Sequence, residues 1–134
     1  MYFMGTTIQE INSVVNRYIH AIHTQNEAEF KSLWCGADTD TMISVTNVYQ
    51  GIEKIYTDFI IGAIQKAYTD IKLIADEPPE IHLLDNQTAI VIFKYHTECI
   101  KREDGSTFGI SGMETQVMKC IDGQWKLCHI HYSM

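Results

Sequence analysis

Basic residues are scarce in this chain. Ten Lys and Arg stand against 17 Asp and Glu, for a formal net charge of −7. Neutralising a phosphate backbone needs clustered Lys and Arg, so nucleic acid is excluded as an expected partner. Apolar residues never run on for the roughly 18 positions a membrane helix requires, so no membrane association is expected either. The four cysteines, Cys35, Cys99, Cys120 and Cys128, show no CxxC spacing, which removes the grounds for a zinc site or a dithiol redox motif. No other metal set and no cofactor is expected. Proline occurs only as Pro78-Pro79, and no repeat, linker or low-complexity tract interrupts the chain, so one domain over residues 1–134 is the expectation. The opening Met1-Tyr2-Phe3-Met4-Gly5-Thr6 is too short and too uncharged for a signal peptide, which points to the cytoplasm.

What is present divides into helices first and strands after. Thr7 with Glu10 forms a capping box, and Ile8, Ile11, Val14, Val15, Tyr18, Ile19 and Ile22 continue it as an apolar stripe of helical period. Asn26 with Glu29 repeats the capping pattern ahead of Phe30, Leu33 and Trp34. Short strands are expected over 42–45 and 48–50 with Asn47 at their turn. Gly51 then leads into a third helix carrying Ile52, Ile55, Phe59 and Ile60 or Ile64 inward. Beyond Tyr68 the pattern turns β-branched. Ile71–Ala75 reads as a strand broken at Pro78-Pro79 and resumed over Ile81–Leu84. Long strands follow over 88–101, 108–121 and 124–133, the last two joined by the Asp122-Gly123 turn. This order reads as α+β, with N-terminal helices packed on a curved antiparallel sheet.

A two-residue Asp122-Gly123 loop opposes Cys120 to Trp125, Val117 to Cys128, Gln116 to His129 and Glu114 to His131. Cys120 and Cys128 are then not partners, and reduced thiols follow. Directly opposed side chains share a face, so Glu114 meets His131. A carboxylate beside an imidazole holds one tautomer and supplies acid–base chemistry near neutral pH. The same pair serves equally as a structural element of the hairpin or of a dimer seam. A bulge would move the pairing by one residue. Tyr18, Phe30 and Trp34 read as core aromatics or as the lining of a cavity. His20 and His23 lie three apart on one helix flank without a third ligand and read as surface residues.

Several segments carry a family likeness: Pro79-x-Ile81-His82-Leu83, Ala89 to Thr97, Glu114-Thr115-x-Val117, Asp122-Gly123-x-Trp125 and His129-x-His131-x-Ser133. In this order they resemble the nuclear transport factor 2-like superfamily, the cone-shaped fold shared with ketosteroid isomerase and SnoaL-like proteins. The likeness is strongest to the association (hub) domain of calcium/calmodulin-dependent protein kinase II. The resemblance implies a conical pocket between sheet and helices, and a dimer through the outer sheet face. Tyr95, Gln116 and Tyr132 stand where the hub domains carry pocket arginines, and none is cationic. Val14-Val15-Asn16-Arg17-Tyr18 resembles the first helix of ketosteroid isomerase, whose tyrosine donates to a developing oxyanion. The isomerase's general-base position falls in Ile43-Ser44-Val45-Thr46-Asn47, which holds no carboxylate.

The leading expectation is a homodimer that binds a small apolar or weakly polar ligand through Trp34, Tyr95, Gln116, His129 and Tyr132. The alternatives are an isomerase, cyclase or dehydratase using Tyr18, Glu114 and His131, and an oligomerisation module larger than a dimer.

Overall fold

A computed structural model describes the chain from residue 2 to residue 134, and its side chains from residue 6 onward. Helix α1 (Tyr2–Thr24) starts ahead of Thr7, which therefore lies inside the helix and is not its cap. No proline breaks the segment upstream, and Gly5 costs a helix only about 1 kcal/mol. The stripe buries Ile11, Val14, Val15, Tyr18, Ala21 and Ile22. Helix α2 (Glu27–Ser32) opens as expected at Asn26, whose side-chain oxygen accepts from the Glu29 amide at 2.9 Å. Strands β1 (Thr41–Ser44) and β2 (Asn47–Gln50) follow. Ser44 pairs with Asn47, so Asn47 is part of the ladder and the turn falls on Val45-Thr46. Val45 has φ 56°, a strained setting for a β-branched residue.

Helix α3 (Ile52–Lys54) continues into a wide π-helical stretch, Ile55–Gln65. Its hydrogen bonds reach back five residues, as from the Lys66 amide to Ile61 O. Residues five apart therefore stack, and Ile55 with Ile60, and Phe59 with Ile64, turn inward together.

The remaining strands are β3 (Tyr68–Ala75), β4 (Glu80–Asp85), β5 (Thr88–Lys101), β6 (Thr107–Phe108), β7 (Ser111–Ile121) and β8 (Gln124–Ser133). The sheet runs β2-β1-β8-β7-β5-β3, with β4 and β6 also paired to β5. Strands β3 and β4 flank the two halves of β5, and Pro78-Pro79 occupy the gap between them, where no ladder bond is lost. One pairing differs from the antiparallel expectation: β1 lies parallel to β8. The chain arrives in that direction, because Leu33–Cys35 already brackets Leu127 through bonds of 2.8 and 2.9 Å.

The Asp122-Gly123 turn has both residues at positive φ, 51° and 79°, as a tight two-residue hairpin loop requires. Pairing follows the simple count as far as Met118 with Leu127. There a bulge leaves Cys128 unopposed, and its thiol donates to Val117 O at 3.3 Å. Beyond it every partner moves by one: Gln116 faces Ile130, Thr115 faces His131 and Glu114 faces Tyr132. The expected Glu114–His131 and Gln116–His129 pairs are thereby dissolved. All four cysteines are free thiols.

The concave face is now legible as cross-strand rows. Val91, Gln116, Ile130 and Met42 form one, and Phe93, Glu114, Tyr132 and Ser44 the next. In the following row Tyr95 stands opposite Gly112. Helices α1, α2 and the π-helical stretch supply the facing half of the core, through Tyr18, Phe30 and Ile60 among others. No helix among the described residues is long and apolar enough to cross a membrane.

Gly112 has a steric reason to be glycine. A Cβ there would lie 1.8 Å from Ser133 O, a backbone atom that cannot swing aside. Gly112→Ala is expected to cost about 3 kcal/mol by forcing β8 off β7 at its end. Denaturant unfolding measures this, and a loss below about 0.5 kcal/mol would contradict the close approach.

Candidate ligand-binding cavity

A cavity of about 330 Å³ opens between the concave sheet and the helices. Its walls come from Ile22 of α1, Phe59 and Ile64 of the π-helical stretch, Ile71 and Leu73 of β3, and Tyr95, Cys99 and Tyr132 of β5 and β8. Among the described residues, no charged side chain lines it. Exposed apolar side chains form part of its wall, Val45 at 62%, Phe108 at 40%, Ile110 at 36% and Met134 at 65% exposure. Isolated exposed apolar groups are ordinary, but four converging on one apolar cavity are a coherent patch.

The polar end is built from tyrosines. Tyr132 stacks on Phe59 with centroids 5.8 Å apart and meets Tyr95 edge-on at 5.5 Å. Its hydroxyl lies 2.5 Å from that of Tyr18, which α1 brings in from behind the wall. The Tyr95 hydroxyl donates to Ser133 O at 3.3 Å. Behind Tyr132, Gln116 Nε2 donates to Glu114 Oε2 at 2.7 Å, both side chains being fully buried. Glu114 Oε1, Gln116 Oε1 and Trp34 Nε1 are buried without a protein partner.

Burial pushes the Glu114 carboxyl from its ordinary 4.5 up to about 8, tempered by the Gln116 amide and the Tyr132 hydroxyl. At pH 7 it therefore keeps its proton in most molecules. Burial first, and Glu114 second, push the Tyr18 and Tyr132 hydroxyls well above the ordinary range. The network holds its protons tightly and is largely uncharged at neutral pH.

The residues expected at the site divide into three groups. Tyr95 and Tyr132 line the cavity. Tyr18, Glu114 and Gln116 form the polar layer behind them, and Trp34 packs on Phe30 at 6.1 Å within the core. The two histidines belong to the other side of the sheet. His129 Nδ1 lies 2.7 Å from Thr41 Oγ1, and burial followed by His131 pushes its pKa down. His131 is exposed, beside Ile43 and Thr115. The bulge at Cys128 is the cause, since it turns Tyr132 inward and the histidines outward. His20 pairs with Glu29 at 2.8 Å, and His23 lies 3.2 Å from Ile71 O. Reading the sequence did not find Leu73 and Cys99 as wall residues, nor the Val45, Phe108, Ile110 and Met134 patch. Apolar residues in a turn, a two-residue strand and irregular backbone were the only signal for that patch.

Helices closed over a curled sheet, with a cavity in the cone between them, define the nuclear transport factor 2-like class. A superfamily member from Salmonella enterica subsp. enterica serovar Typhimurium str. LT2 superposes with a TM-score of 0.92 at 28% identity, over 97% of this chain and 92% of that one. A hexachlorocyclohexane dehydrochlorinase from Novosphingobium barchaimii LL02 gives a TM-score of 0.84 at 15% identity, over 96% and 86%. A protein from Xanthomonas campestris, described as a calcium/calmodulin dependent protein kinase II association domain, gives 0.75 at 19%, over 91% and 83%. The sequence model of the calcium/calmodulin dependent protein kinase II association domain matches residues 7–134, and the chain belongs to that family. No curated protein matches it in sequence.

The buried acid makes a pH prediction. Glu114 binds its proton more tightly folded than unfolded, so its contribution to stability is full below about pH 4.5 and is lost as pH rises to about 8. Glu114→Gln is neutral throughout. It should match the wild type near pH 4.5 and exceed it by a few kcal/mol, order of magnitude, at pH 8. Unfolding midpoints across pH read this directly. A constant difference between the two proteins would mean that Glu114 is ionised in the fold.

Proposed function

We propose that the chain is a small-molecule-binding protein that encloses an apolar or weakly polar ligand in the cone and acts as a homodimer. The observation that carries the binding reading is the cavity itself. Among the described residues its wall has no charged side chain, and it carries an exposed apolar patch and tyrosine hydroxyls at its polar end. Ligand sites in proteins are mostly apolar with a few placed polar groups, and this composition suits that description. The strained Val45 turn belongs to the same site, where backbone strain is commonly concentrated.

Self-association is supported by family membership and by the character of the outer sheet face. Ile92, Thr115, His131, Ile43 and Val48 form one cross-strand row there, and Ile90, Val117, His129 and Thr41 the next. From β5 across to β1 and β2 neither row contains Lys, Arg, Asp or Glu, and the first row meets a charge only at its β4 edge, Glu80 beside Ile92, an arrangement of uncharged centre and polar rim characteristic of interfaces.

Two experiments test these readings. The neutral dye N-phenyl-1-naphthylamine should brighten on binding the wild type, and Ala63→Trp at the cavity wall should abolish the signal without unfolding the protein. Equal brightening in both would place the dye elsewhere. For association, light scattering should give a dimer mass, and Ile92→Arg should give a monomer that keeps the dye response. A wild-type monomer at micromolar concentration would refute the dimer.

A further inference from the structure

We infer that His129 and His131 form half of a zinc site at the seam between two copies of the chain, the second copy supplying the same pair. The inference rests on the homodimer reading above and adds a ligand to that interface.

Three observations carry it. The first is where the two rings stand. His129 and His131 lie two residues apart on β8, so both belong to the outer face, with Cα atoms about 6.7 Å apart. Strands β4, β5, β7, β8, β1 and β2 cross this face in turn, and β7 and β8 are the middle pair. An interface between identical chains is normally two-fold symmetric, and residues near the centre of the shared patch meet their own copies. Four imidazoles then gather around the axis.

The second observation is that His129 is already held as a metal ligand is held. Its Nδ1 lies 2.7 Å from Thr41 Oγ1. With the hydroxyl accepting from Nδ1–H, Nε2 keeps the lone pair that a metal takes, and the ring is fixed in orientation. Burial first, and His131 second, lower the His129 pKa, which favours the neutral form that binds metal. His131 is exposed, and its cross-strand neighbours are the uncharged Ile43 and Thr115.

The third is what the seam lacks. Between β5 and β2 the two rows offer the rings no carboxylate and no ammonium. Among the described residues, no group of three His, Cys, Asp or Glu side chains is placed to hold a metal within one chain, so the site is incomplete without the partner. Polar groups buried in an interface need partners, and four imidazoles in tetrahedral array suit Zn²⁺. Each chain has a formal charge of −7, and a dication between two such chains offsets their repulsion.

The test uses the full chain, stripped of metal by chelation and titrated with zinc chloride at neutral pH. Calorimetry should find one zinc per two chains. Sedimentation equilibrium should find the dimer at least about tenfold tighter with zinc, because a ligand that binds only the dimer favours it by mass action. Mg²⁺, which prefers oxygen ligands, should do neither. His131→Ala and His129→Ala should each abolish both effects. His20→Gln and His96→Gln, outside the two rows, should change nothing. Ile92→Arg keeps both histidines but separates the chains, and should bind zinc at least about 100-fold more weakly. One zinc per chain, or binding that survives His131→Ala, would overturn the inference. So would an Ile92→Arg monomer that binds zinc as tightly as the wild type. A dimer that takes up no zinc sinks the site and leaves the homodimer reading standing. A chain that stays monomeric with and without zinc refutes both.

Discussion

A carboxyl group sealed from water with no cation beside it keeps its proton, and the interior of this protein is arranged around that constraint. Glu114 is wholly buried, receives one hydrogen bond from Gln116, and faces Tyr132 across the hairpin. An ionised carboxylate there would face a desolvation cost of several kcal/mol with little to offset it. A protonated one is a modest donor that a polar cluster accommodates. The high tyrosine pKa values follow from the same cause, because a phenolate would add a second uncompensated charge. The polar end of the cone is thus a set of hydrogen-bonding groups held largely in their neutral forms behind an apolar cavity.

The same architecture serves proteins of quite different description. A TM-score of 0.84 to a dehydrochlorinase accompanies only 15% identity, so the shared scaffold says little about shared chemistry. The family matches over residues 7–134, yet Tyr95, Gln116 and Tyr132 bring only neutral groups to the concave face.

Much of the fold was legible because its signals are local. The Asn26 cap, the strand over 88–101 and the Asp122-Gly123 turn each depend on a few adjacent residues, and each is where the pattern placed it. The Pro78-Pro79 break is legible for the same reason. The misses are of another kind. The start of α1 depends on the absence of a breaker, which leaves no mark in the sequence. The π-helical stretch keeps an apolar stripe whose spacing of four and five residues passes for an ordinary helix. The Val45-Thr46 turn defies residue preference, because β-branched residues avoid positive φ. The parallel β1–β8 pairing is a tertiary contact between distant segments. Helical period and family likeness put Tyr18, Tyr95, Gln116 and Tyr132 on the inner side of the sheet and helices, where they are buried, whereas the placement of the histidines was lost to one bulge.

That bulge makes the end of β8 a reversible fabric. Before it, alternation turns Trp125 and Leu127 inward, and after it Ile130 and Tyr132. The opposite side of the same few residues carries His129 and His131. A single extra residue at Cys128 decides which set lines the chamber and which meets the outside. A lineage losing or shifting that one residue would exchange a phenolic interior for an imidazole one without altering the helices or the rest of the sheet. Length variation at a single hairpin position is therefore a direct evolutionary route between unlike interiors on this scaffold.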